Sequence, residues 1–476
     1  MKRHFKRRWY LYVIFVIVLY LAGAMIPFAR YRKITNVESF DLSSFAAQEG
    51  VKDRAMLLET NQSAWDERIR LLNMAKKRII ISTFDMRPGQ STKDIMAVLQ
   101  EKAKEDVKIS ILVDGISGFL RMEGEELFYA LSSYPNVEMK IYNPINLAMP
   151  WKLQGRMHDK YVIVDDIGYI LGGRNMFDYF IGEYKAKSKS HDREVLIYNE
   201  NHGQPKNKSS LYEVESYFDE VWNMEECKLF HDDSDLAEEK EVKAMRKELE
   251  ERYDKIKKEH PHLFEESNYY KNKTYETDGI KLVANPTGIY GKEPKVFANL
   301  CDLMKQAKES VQIHTPYIVC NDYMYQQLKE VKSSVPKAEI VINSVENGDN
   351  FVASSDYLWN KKDVVGTGMQ IYEYDGGTSM HGKSMVIDSE ISIVGSYNMD
   401  LRSTYMDTEV MLVVKSKRLA NELEGHMEEF KHDSRKVVNE KEYEVPEHVE
   451  VENIPFLKKA AMYIVGLLLQ PFRYVV

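Results

Sequence analysis

Residues 157–175 read MHDKYVIVDDIGYILGGRN, and residues 380–398 read MHGKSMVIDSEISIVGSYN. His158, Lys160 and Asp165 have the spacing H-x-K-x-x-x-x-D, and His381, Lys383 and Asp388 repeat it 223 positions later. Seven residues beyond each Asp stands a G-x-x-N, Gly172 to Asn175 and Gly395 to Asn398. One copy could be a chance match, with a satisfied core histidine beside a turn aspartate. Two copies with the same trailing G-x-x-N are not a chance event.

In a strand, residues i and i+2 point to one face, so each His shares a face with its Lys. The apolar runs 161–164 and 384–387 continue each strand inward. Asp165-Asp166-Ile167-Gly168 and Asp388-Ser389-Glu390 are turn-like, so each motif reads as a hairpin that returns Asn175 or Asn398 toward its own His-Lys pair. The gap of five from each Lys puts Asp165 and Asp388 off the reactive face, more structural than chemical.

The surroundings of the motifs are repeated too. AKKRIIISTF, VKISILVDG, VEMKIYN, KYVIVDD, GYILGGRN and REVLIYN in the first half have counterparts in the second: AKESVQIHTP, AEIVINSV, MQIYEY, KSMVIDS, ISIVGSYN and TEVMLVV. Most are apolar at consecutive positions, as in strands covered on both faces, and helical stretches such as 92–103 and 297–308 lie between them. This predicts an α/β protein of two similar lobes, 51–231 and 279–436. Residues 232–278 are highly charged, with acid-first i,i+4 pairs Glu239/Lys243 and Glu251/Lys255, and read as a solvated helical connector. The tail, 437–476, ends in an apolar stretch too short to span a bilayer. It either lies on a membrane surface or docks on the core.

Trp9 to Phe28 carry no charge, and twenty helical residues cover roughly 30 Å, the thickness of a bilayer core. Five basic residues precede this segment within the tail 1–8, and Arg30, Arg32 and Lys33 follow it in the linker 29–50. That bias puts the N-terminus inside and the catalytic region on the outer face of a single-pass cell-membrane anchor. A signal peptide cleaved near Ala22-Gly23-Ala24 and a buried core helix are the alternatives.

Two imidazoles, two ammonium groups and two carboxamides suit a phosphodiester. One His can attack phosphorus and the other can move the proton of the leaving and incoming oxygens. Lys160, Asn175, Lys383 and Asn398 are the phosphate-binding candidates. The 476 residues carry 65 basic and 74 acidic side chains, a net −9 that disfavours nucleic acid as a partner. The three cysteines and twelve histidines form neither a disulfide framework nor a metal-ligand spacing.

These motifs resemble the phospholipase D superfamily from about Ala55 to Val414. Within it, GGRNMFDYF, HDREVLIYN, HTPYIVCND, INSVENGDN and NMDLRSTYMDTEVMLVV are most similar to bacterial cardiolipin synthases. The resemblance implies two phospholipase D-like lobes, each a mixed sheet flanked by helices, related by pseudo-twofold symmetry with one active site between them. It implies a phosphohistidine intermediate, no metal and no cofactor. It also implies an acidic residue after each G-x-x-N that orients a motif His, and Glu194 in DREV and Glu409 in DTEV match that pattern. The implied reaction is phosphatidyl transfer to the hydroxyl of phosphatidylglycerol, with phospholipids and the membrane as partners. Hydrolysis by water would use the same motifs. A non-catalytic envelope protein would be expected to have lost a His or a Lys, and neither is lost. Gly173, where many family members have Ser, and ISTFDMR in place of an aromatic-rich strand depart from the family pattern. The oligomeric state is not legible, because the repeat already supplies both halves of a site.

Overall fold

The computed structural model describes residues 2–35, 51–186, 188–204, 208–265 and 268–476. Residues 36–50, most of the expected linker, lie outside the described residues, as do the side chains of the basic tail 2–8. Two nine-stranded sheets dominate. In the first, the strand order is Tyr275–Glu276, Asp53–Leu58, Glu194–Asn199, Gly168–Gly172, Tyr161–Val164, Arg78–Thr83, Lys108–Asp114, Val137–Tyr142 and Cys227–Leu229. In the second it is Gly279–Ala284, Val410–Lys415, Ile391–Gly395, Lys383–Ile387, Ser310–His314, Lys337–Asn343, Gln370–Tyr374, Ser434–Val437 and Tyr443–Glu444. From Asp53–Leu58 and Gly279–Ala284 onward the two orders correspond strand for strand. Both motif hairpins form, with Tyr161 facing Leu171 and Lys383 facing Gly395.

The consecutive apolar runs have a direct cause. Along Glu194–Asn199, Val195 and Ile197 enter a core shared by the two lobes, while Leu196 enters the first lobe's own core. Along Val410–Lys415, Val410, Leu412 and Val414 enter the shared core, and Met411 and Val413 the second lobe's own. The sheets therefore face one another, each with helices on its outer side, and both faces of the central strands are dry.

The charged connector differs from expectation. Its helix, Lys240–Glu259, buries Val242, Leu249, Tyr253 and Ile256 in the first lobe's core. Its charges reach that lobe: Lys93 pairs with Glu248 and Lys104 with Glu250, each at 2.6 Å. Lys243 pairs with Glu238 rather than Glu239. One apolar stripe in a charged helix is enough to dock it. At the connector's end, Tyr275–Glu276 extends the first sheet beside Asp53–Leu58.

At the N-terminus Lys2–Met25 is one helix, and Trp9–Phe28 is apolar and long enough to cross a membrane. Most of it is exposed, which rules out the buried core helix. The docking expected of the tail is met by one face of its helix: Phe456–Leu469 packs on Phe351–Val365, with Gly466 against the Ser355 carbonyl.

Candidate active site

The lead-in to each motif pairs with the other lobe. Met157 bridges Thr408, and the His158 N–H donates to the Thr408 carbonyl at 3.2 Å. In the symmetric position Met380 pairs with His191, and the His381 N–H donates to the His191 carbonyl at 2.7 Å. The motif histidines are thus delivered to the seam between the lobes by a pseudo-twofold pair of crossings.

Across that seam each imidazole meets a carboxylate of the opposite half. His158 Nδ1 lies 2.8 Å from Glu409 Oε1, and His381 Nδ1 lies 2.6 Å from Asp192 Oδ2. Both carboxylates are fully buried, while the imidazoles keep a narrow exposed edge. With Nδ1 engaged by the carboxylate, Nε2 is the atom of each ring that faces the site, and at His381 the Lys383 Nζ lies 3.1 Å from it. Lys160 Nζ donates to the carbonyl of His158 at 2.5 Å, and Lys383 Nζ donates to the carbonyl of His381 and sits 2.7 Å from its Nδ1. The rings of Phe84 and Phe180, both of the first lobe, lie 5.0 Å from His158 and His381 respectively. Phe84 belongs to ISTFDMR, so the altered strand still supplies an aromatic wall. Asn175 and Asn398 are buried with their Oδ1 atoms unpartnered, and the Nδ2–H₂ of each carboxamide is the group able to donate to a phosphate oxygen.

Glu194 is a correction. It does not touch a motif histidine: Arg68 grips it through two bonds of 2.5 and 2.6 Å, and Arg174 Nε stands 3.5 Å away. The strand register gives the reason. Glu194 faces Gly172, whereas the residue facing Gly395 is Met411, so the structural counterpart of Glu409 is Asp192. A two-residue slip keeps every side chain on its own face, so DREV and DTEV look aligned when they are not. Gly173 belongs to the same adjustment. A side chain there would collide with the Asp192 carboxylate, whereas Ser396 at the equivalent place donates to Glu409 at 2.5 Å. One half uses Gly with Asp, the other Ser with the longer Glu. Among the residues around the histidines, sequence reasoning missed Asp192, Phe84 and Phe180.

Asp165 and Asp388 lie away from the histidines. Asp165 accepts the backbone N–H groups of Lys76, Lys77 and Arg78 at 2.7–2.9 Å, and Asp388 accepts those of Lys308, Glu309 and Ser310 at 2.8–2.9 Å. Both have positive φ, 47° and 53°, which Asp tolerates at a tight turn. Each ties a hairpin turn to the start of the neighbouring strand. They hold the scaffold, bonded to backbone N–H groups rather than to the histidines.

Burial shapes the charges. It holds both histidines below the usual imidazole range, helped by Lys160 and Lys383 at His158 and by Lys383 at His381. Burial and the like charge of Lys383 bring Lys160 down to about 7, against the pull of Glu409. Lys383 is lowered by burial against the pull of Asp192. Burial raises Glu409 to about 8 despite Lys160 and two serine hydroxyls. Burial would raise Asp192 too, but Lys383 and His381 hold it well below the usual carboxylate range. The arrangement can bind an anion between two ammonium groups and offer it two Nε2 atoms.

Two repeated lobes with opposed His-Lys pairs at one seam define a phospholipase D-like fold. The family described as "Cardiolipin synthase, PLD-like domain" matches residues 69–222 and 300–431, more than half of the chain, and the chain belongs to it. An uncharacterized protein of Helicobacter pylori is 26% identical over 426 residues, covering 79% of this chain and 80% of its own. Cardiolipin synthase C of Escherichia coli is 24% identical over 421 residues, with 79% and 84% covered. Among solved structures, phosphatidylserine synthase of Haemophilus influenzae superposes with a TM-score of 0.64 at 13% identity, over 90% of this chain and 96% of that one, a likeness of fold.

Proposed function

We propose that the chain is a membrane-anchored phosphatidyl transferase of the cardiolipin synthase type. The observation that carries this reading is the pair of opposed imidazoles, each bonded through Nδ1 to a buried carboxylate from the other half and each beside a lysine. The Nε2 of one histidine attacks the donor phosphorus, and the bond to the headgroup oxygen breaks as the other histidine protonates that oxygen. The second histidine then takes the proton of an acceptor hydroxyl, whose oxygen displaces the phosphohistidine and restores the imidazole. With phosphatidylglycerol as donor and acceptor the products are cardiolipin and glycerol. Lys160, Lys383, Asn175 and Asn398 bind the non-bridging oxygens. Family membership and the cardiolipin synthase among the relatives support the lipid substrate. The apolar helix Trp9–Phe28 supports a single-pass anchor, and the excess of basic residues before it supports a catalytic body outside.

The test is a mass-spectrometric product assay on the detergent-purified chain, with phosphatidylglycerol alone and with phosphatidylethanolamine, and His158→Asn as the blank. Cardiolipin with released glycerol or ethanolamine is expected and identifies the donor. Phosphatidic acid without cardiolipin would make the chain a hydrolase, and no lipid turnover would overturn the reading.

A further inference from the structure

The body of the protein overlaps its anchor. Gly23, five residues inside the apolar span, lies against the ring of Pro150, and Phe28 at the end of the span is buried in the second lobe's core. At 1.5 Å per residue, Gly23 sits roughly 7 Å from the end of the span. A bilayer crossed by this helix therefore reaches residues 147–151, where Leu147, Met149 and Trp151 are exposed. Residues 116–120, which follow the strand Lys108–Asp114 paired with Val137–Tyr142, expose Ile116, Phe119 and Leu120. Both segments leave the sheet end that delivers the first motif, for Asp114 accepts the N–H of Met157, next to His158.

The second lobe contributes a matching surface. The helix Phe456–Leu469 docks through Met462 and Gly466, yet its outward arc is also apolar: Phe456, Leu457, Ala461, Ile464, Leu467 and Leu468, with no charge on it. Phe456 and Leu457 are 83% and 80% exposed. A helix lying on a soluble protein has a polar outer face. The only charges from Phe456 to the end of the chain are Lys458, Lys459 and Arg473, all basic, which complements an anionic lipid surface. This segment ends at the anchor: Tyr474 and Pro471 line a cavity of about 970 Å³ together with Arg30, Tyr31 and Lys33.

We infer that the catalytic body lies on the bilayer through these two surfaces, the segments 116–120 and 147–151 of the first lobe and the outer arc of Phe456–Leu469 of the second, with the anchor beside them. The occupant of the apolar faces is the lipid itself. The inference rests on the anchor reading and deepens it, because it sets the mouth of the site at the lipid surface rather than on a tether above it.

Cys227, Cys301 and Cys320 are all buried, so an introduced surface cysteine labels alone. The full chain, carrying Leu120→Cys, Leu457→Cys, Ile14→Cys or Lys247→Cys with an environment-sensitive fluorophore, is reconstituted in vesicles of phosphatidylglycerol and phosphatidylethanolamine containing a spin-labelled lipid. Labels at 120 and 457 are expected to lose more than half their fluorescence to the lipid quencher, as does 14 in the anchor, while 247 on the connector helix loses none. If 120 and 457 behave like 247 while 14 is quenched, the anchor stands and the inference falls. Quenching at 120 and 457 without quenching at 14 keeps the surface and removes the anchor. Labels shielded from aqueous iodide yet untouched by the lipid quencher mean that a second protein copy covers the faces, which also overturns the inference.

Discussion

Replacing Asp192 by Asn separates the two carboxylates that the sequence pattern confuses. The Asp192–His381 bond is 2.6 Å long and the carboxylate is fully buried. In the proposed mechanism its negative charge favours a proton on Nδ1 and stabilises the imidazolium formed when Nε2 takes a proton or bonds to phosphorus. The amide preserves shape and can accept a bond, but it is neutral. It also leaves Lys383, 3.9 Å from Asp192, without its charge partner. Breaking a buried charged pair from one side costs about 3–5 kcal/mol, and at 1.36 kcal/mol per decade that is a loss of about 10²- to 10⁴-fold in kcat/KM.

Glu194→Gln is the matched control. It breaks the grip of Arg68 and Arg174, costs a similar ~3–5 kcal/mol, and takes it from folding stability rather than from turnover. Steady-state phosphatidyl transfer, normalised to folded protein by thermal melting, reads both. Should Glu194→Gln fail to fold, Glu194→Met with Arg68→Met removes both charges and keeps the comparison alive. An Asp192→Asn protein within threefold of wild type, beside a folded Glu194 variant down a hundredfold, would refute the assignment.

His158→Asn and His381→Asn should each lower turnover by several orders of magnitude, since the pair acts as a unit, and a near-normal rate in either would remove the two-histidine mechanism. Lys160, brought to about 7, holds its proton below that pH and releases it above, so the apparent KM for the anionic donor should rise as pH increases through about 7; Lys160→Arg, charged throughout, should flatten that rise even at a lower rate. EDTA should leave turnover unchanged, because the two carboxylates nearest the histidines are bonded to the imidazoles and each imidazole stands beside an ammonium group that repels a divalent ion; inhibition reversed by added metal would contradict this. Asp165→Ala strands three backbone N–H groups and should lower the melting temperature by the equivalent of about 3 kcal/mol, with activity per folded molecule kept, which calorimetry and the transfer assay read together.

Why the site was legible while one of its carboxylates was not follows from what a repeat preserves. The His-Lys pairs and the G-x-x-N stand at constant offsets because each motif folds as a single hairpin, in which spacing along the chain is spacing in space. The strands of both motifs announce themselves because the facing sheets keep both of their sides dry. Strands such as Asp53–Leu58 and Gly279–Ala284, at or near the sheet edges and only partly buried, lack that signal and escape notice. Asp192 lies after a connection that differs between the halves, so the constant offset no longer applies, and alternation permits any even shift. The tiebreaker was a departure that looked unrelated. Gly173 is small because a carboxylate comes close: the three atoms nearest that space all belong to the Asp192 carboxylate. A missing side chain in one strand is thus evidence about the acid on the next, and the pair Gly173 with Asp192 against Ser396 with Glu409 is where the two halves of the repeat diverged while holding the same bond to histidine.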